Sequence, residues 1–179
     1  LVHPNIVPIW EIGRQGSSLF IVMEFVEGRN LRELTKVRRQ FDPTEAARLM
    51  LDVACGLEYA AKRGLCHRDL KMSNVLVSVQ GQAKLVDFGL AGVDNTMSDD
   101  RLMESNPRTI DYAGLERASG VRRDDPRSDI FFVGCMLYHM LSGIAPLAET
   151  RDRVQRLQKS RFRDIPPIIK VMPQLPPAA

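Results

Sequence analysis

The chain has 179 residues, 44% hydrophobic and 26% charged, which places it in the soluble globular class with enough length for a sizeable core. A net charge of +3 and a pI near 8.9 are too mildly basic to point to nucleic acid. The longest apolar run, residues 130–141, is too short to cross a bilayer, and Cys55, Cys66 and Cys135 lack metal-like spacing and read as thiols in a reducing compartment. No signal peptide opens the chain, and its first residue is Leu1 rather than Met, so it reads as a fragment or a processed product.

Residues 6–12 and 19–26 are apolar runs; the second, rich in β-branched and aromatic residues, predicts a buried strand. Residues 13–18, G-R-Q-G-S-S, carry hairpin-loop chemistry between them. Residues 30–39 form a short, charged, helical stretch. Asp42 then opens a clear helix: it is a good N-cap, Pro43 suits the first helical position, and Glu45 stands three past the cap. Ala46, Met50, Val53, Ala54, Leu57 and Ala61 give that helix an apolar face, and Gly64 ends it. Residues 75–79 and 83–88 predict two short strands around a Q-G-Q turn.

Residues 89–121 show no long period and read as an extended loop, a length usually tied to function or disorder. Ser128 or Asp129 is expected to cap a second, buried helix that runs to about Ser142, with Gly143 after it. Residues 150–162 are a third helical stretch whose arginines are expected on a solvated face; beyond Asp164 the chain is proline-rich and aperiodic. The order of elements, strands first, predicts an α+β fold.

Two stretches carry chemistry: H-R-D-L-K-M-S-N at 67–74 and V-D-F-G at 86–89. An aspartate beside a lysine can accept a hydroxyl proton while the lysine neutralises a transferred charge. An asparagine and a second aspartate offer hard oxygen ligands of the kind Mg2+ prefers. A base, a cation and oxygen ligands together describe phosphoryl transfer from a nucleotide, where the protein mostly positions and stabilises charge.

H-R-D-L-K-x-x-N followed by D-F-G resembles the catalytic and metal loops of eukaryotic-type Ser/Thr protein kinases, and the phrasing of the flanking segments looks most like bacterial members. The resemblance covers nearly the whole chain. It implies a protein-kinase-like α+β fold: residues 1–26 as the last strands of the N-lobe and the start of the hinge, residues 27–179 as a C-lobe truncated at its end. Within that lobe, 67–74 would be the catalytic loop, 87–89 the metal loop and 90–116 the activation and docking loop. The resemblance implies Asp69 as catalytic base and Lys71 as the γ-phosphate contact, with Asn74 and Asp87 holding Mg2+. Met23 would be the gatekeeper, the backbone of Glu24 and Val26 would meet adenine, Asn30 would border the ribose and Leu76 would pack under the base. His67 and Phe88 would join an apolar spine, Asp129 would brace the catalytic loop, and Arg68 would pair with a phosphorylated activation loop.

The implied cofactors are ATP and Mg2+; the implied partners are a protein with a Ser or Thr hydroxyl and the kinase itself, while Thr96, Ser98 and Ser105 read either as ordinary polar loop residues or as candidate phosphosites and Thr109 as a structural hydroxyl near Asp69. The implied location is the cytoplasm, with any membrane anchor lying outside this chain. Taken alone, His3 reads as a cap or turn residue, His139 as a core histidine, and Met97 and Met103 as cover for apolar surface. The chain departs from the family in three ways. No glycine-rich loop or V-A-I-K lysine occurs in it, Arg108 stands where glycine is usual, and Gly114-Leu115 replaces alanine-proline, which predicts a looser docking loop. Glu116 has no evident arginine partner in the sequence. The competing reading is a pseudokinase or truncated interaction module that binds partners without catalysis, and the isolated chain is expected to be inactive.

Overall fold

The structure is a computed structural model that describes residues 1–88, 107–122, 125–147, 150 and 152–175, with the backbone alone for 107–109. β1 (Ile9–Gln15) and β2 (Ser18–Met23) pair antiparallel across a two-residue turn at Gly16 and Ser17. Gly16 sits at φ 61°, a left-handed conformation that glycine adopts without a Cβ penalty. The expected burial of the second strand is not met: Leu19 is 77% exposed, Phe25 just beyond it 86%, and Trp10 on β1 66%. The run marks a strand, but burial needs a second layer, and among the described residues the other elements make their main contacts with one another rather than with this hairpin.

β3 (Gly28–Asn30), β4 (Val75–Ser78) and β5 (Ala83–Leu85) form a second antiparallel sheet with β4 in the centre. Both expected strands are present, yet the second ends at Leu85, so Asp87 and Phe88 lie beyond it. The chain's start docks along β5 in parallel: Val7 N donates to Leu85 O at 2.9 Å and Leu85 N to Asn5 O at 2.8 Å.

α1 (Leu31–Arg38) starts on a capping box in which Asn30 Oδ1 accepts from Glu33 N and Glu33 Oε2 accepts from Asn30 N. α2 (Pro43–Ala61) is capped as expected, Asp42 Oδ1 accepting from Thr44 N and Glu45 N. Its buried stripe runs through Ala46, Leu49, Met50, Val53, Gly56, Leu57 and Ala60, so Leu49 and Ala60 face the core while Ala54 and Ala61 are half-buried.

The largest departure from expectation is α3 (Pro107–Ser119), a helix inside the segment read as a loop. Ile110, Tyr112, Leu115 and Ala118 are buried along it and join the core. The carboxylate of Asp111 hides this face in the sequence. Its charge is met by Arg156 Nη1 at 3.0 Å and Arg161 Nη1 at 2.5 Å, from far along the chain. Gly114 serves space rather than looseness: a Cβ there would stand 2.7 Å from Arg156 O and 2.9 Å from the Phe162 ring.

α4 (Arg127–Ser142) packs on α2 and buries Phe132, Met136 and Met140. Neither Ser128 nor Asp129 caps it; Pro126 holds that position, and both lie in the first turn. Gly143, at φ 73°, closes it. The expected third helix is broken into α5 (Arg153–Leu157) and α6 (Ser160–Arg163) by extended backbone at Gln158. On an unbroken helix two residues five apart point about 140° from each other, so the break lets Arg156 and Arg161 reach one carboxylate. These two arginines are therefore drawn inward, not solvated. α7 (Ile168–Val171) follows. Among the described residues no helix is long and apolar enough to cross a membrane.

Candidate active site

The loop between α2 and β4 is held from below by one carboxylate. Asp129 accepts from His67 N at 2.8 Å and Arg68 N at 3.1 Å, and Tyr112 Oη donates to it at 2.7 Å while accepting from Leu70 N at 3.2 Å. Asp129 thus braces the loop from inside α4. These bonds fix Arg68 at φ 60°, a strained setting for a non-glycine residue.

Above this base the expected chemical residues converge. Lys71 Nζ lies 2.6 Å from Asp69 Oδ2, and Asn74 Nδ2 donates to the same oxygen at 3.0 Å and to Asp69 O at 3.0 Å. Asp69 and Asn74 are each only 4% exposed. Val86 N donates to Asn74 O at 3.0 Å, which sets the neighbouring Asp87 beside the loop. Asp87 is exposed, at φ 63°. His67 is fully buried; Nε2–H donates to Val86 O at 2.9 Å while Nδ1 accepts from Asp69 N at 3.3 Å. Only the neutral ring satisfies both bonds. Burial holds its pKa below the ordinary histidine value, against the opposing pull of Asp129 and Asp69. Its ring packs 4.6 Å from Phe88, a structural role as expected.

The expected nucleotide side is built from both sheets. Asn30, Leu76 and Lys84 are opposite one another across β3, β4 and β5, so they form one row on one face. The Asn30 side chain is committed to capping α1. Met23 ends β2, half-buried, and Glu24 N donates to Pro8 O at 3.1 Å. The Glu24 carboxylate reaches Lys84 Nζ with both oxygens, at 2.6 and 2.9 Å. Val26 lies half-buried on the link to β3.

Glu116 does find an arginine, contrary to expectation: Arg68 Nη2 stands 3.9 Å from its Oε1. His3 is a turn residue, its Nδ1 accepting from Asn5 N. Gly89, Thr96, Met97, Ser98, Met103 and Ser105 lie outside the described residues, as do the side chains of Arg108 and Thr109. Lys84, Tyr112, Asp111, Arg156 and Arg161 were not foreseen as supports, because their partners lie far along the chain and leave no local pattern.

The Protein kinase domain family matches residues 1–177. A probable serine/threonine-protein kinase PknB of Lactococcus lactis is 34% identical over 181 residues, covering 99% of this chain and 28% of that protein. A probable serine/threonine-protein kinase PknB of Bifidobacterium longum is 35% identical over 154 residues, 80% of this chain and 22% of that protein. CBL-interacting protein kinase 17 of Oryza sativa is 34% identical over 159 residues, 89% and 35% of the respective chains. The chain therefore spans about a third or less of the length of these relatives. Because the match takes in the hairpin, the sheet, the braced loop and the helices beneath it, the chain belongs to the Protein kinase domain family.

Proposed function

We propose that the natural protein carrying this chain transfers the γ-phosphoryl group of ATP to serine or threonine hydroxyls of a protein substrate. The observation that supports this most directly is the convergence of Lys71 and Asn74 on the buried Asp69 carboxylate. Asp69 receives the proton of the incoming hydroxyl, held in place by the Asn74 amide and the Asp129 brace. Lys71, one short hydrogen bond away, supplies positive charge for the transferred group. Asn74 and Asp87 would hold Mg2+, which when bound offsets phosphate charge. The backbone of Glu24 and Val26 receives adenine between Met23 and Leu76, and Asn30 borders the ribose. The reading places this domain in the cytoplasm.

The test is phosphate incorporation into a generic basic protein, and into the kinase itself, by the full-length natural protein beside its Asp69→Asn variant. Loss of incorporation in the variant, with ATP binding retained, supports the assignment. Incorporation unchanged in the variant sinks it, and none in either turns the reading to a non-catalytic interaction module. The 179-residue chain by itself is expected to be inactive, since its sequence includes neither a glycine-rich phosphate loop nor a V-A-I-K lysine.

A further inference from the structure

We propose that Lys84 is a nucleotide-positioning residue: through Glu24 it holds the link between the two sheets in register with the Leu76 row. The inference rests on the reading that adenine lies between that link and Leu76. Lys84 sits on β5 directly opposite Leu76, so its stem shares the sheet face that would floor the base. Its ammonium meets both oxygens of Glu24, 60 residues away, at 2.6 and 2.9 Å. The side chains are 15% and 31% exposed, so this pair is better shielded than a surface ion pair.

Glu24 is the first residue after β2, at the start of the link to β3. Its own N–H is turned back to Pro8 O on the hairpin side. One residue is thus tied by its backbone to the hairpin and by its side chain to the three-stranded sheet. Small displacements of a binding group cost much of its contribution, so this double tie fixes the backbone edge offered to adenine. Lys84 bonds to Glu24 on the link, so its effect should fall on nucleotide binding rather than on the chemical step.

The experiment uses the full-length natural protein and three variants: Lys84→Met, which keeps the apolar stem, Glu24→Gln, and the double variant. Calorimetry gives Kd for ATP and for inorganic tripolyphosphate, which has no base; steady-state kinetics give KM and kcat. The expected result is an ATP Kd and KM raised about tenfold in each single variant, with kcat and tripolyphosphate Kd within about twofold. The double variant should be no worse than either single one, because one pair is being broken. Unchanged ATP affinity in Lys84→Met overturns the inference, as does a parallel loss of ATP and tripolyphosphate binding or an additive double variant. A shift of ATP Kd as described in a protein without Asp69-dependent transfer would uphold this role while removing the kinase assignment.

Discussion

Replacing Tyr112 with phenylalanine removes one oxygen and leaves the ring, which stacks 4.3 Å from Phe132 in the core. That oxygen donates to Asp129 at 2.7 Å and accepts from Leu70 N at 3.2 Å. The first bond is charge-assisted and buried, in a class that contributes about 1.5–3 kcal/mol; the second involves a fully buried backbone donor and adds about 1 kcal/mol. Asp129 keeps its bonds from His67 N and Arg68 N, so the loop is loosened rather than released. The net expectation is about 2–4 kcal/mol of destabilisation. Urea unfolding followed by circular dichroism should show the midpoint fall by about 1–2 M at unchanged slope. In the full-length natural protein the proposed phosphoryl transfer per folded molecule should fall as well, because Leu70 adjoins Asp69. A midpoint shift below about 0.3 M would refute the claim that this hydroxyl couples α3 to the loop.

Gly114→Ala gains about 1 kcal/mol of helix propensity but drives a Cβ to 2.7 Å from Arg156 O, and overpacking of this kind costs about 1–3 kcal/mol. The expected result is a net loss of stability, measured by thermal unfolding, with the Asp111–Arg156 pair weakened. Asp42→Ala removes the acceptor for Thr44 N and Glu45 N and should cost about 1 kcal/mol in urea unfolding, whereas Asp42→Asn should cost much less. His67 titrates near 6.5 when unfolded and lower when folded. Across that window the unfolded chain binds the extra proton, so stability is full above 6.5 and falls as pH drops through it, by up to about 1.4 kcal/mol per pH unit. Stability against pH for His67→Gln should lack this component; an identical slope would show that His67 is not held neutral.

What could be read from the sequence was what local residues decide. α2 announces itself by Asp42, Pro43 and a stripe of apolar residues, all within a few turns. The Asp69, Lys71 and Asn74 cluster falls within six consecutive residues, so spacing alone brings those groups together. The hairpin was legible in its turn, but its exposure was not, since burial depends on what else packs there. α3 escaped because its buried face includes Asp111, whose two arginines follow 45 and 50 residues later. A carboxylate in a core looks like a loop residue until its partners are known. Lys84 was invisible for the same reason, as was the nearness of Arg68 to Glu116.

The docking of residues 5–7 along β5 has a consequence for synthesis. Asn5 Nδ2 donates to Ala83 O, 78 residues away, and Leu85 supplies both backbone partners of this segment. The β1–β2 hairpin needs only neighbours and can close as soon as it leaves the ribosome. Ile6 and Val7 cannot be covered in their native place until β5 has been made. At about 5–20 residues per second that leaves this apolar segment waiting for roughly 4–16 seconds. During this interval Ile6 and Val7 lack the cover they have in the fold, and the birth of β5 is the event that ends it.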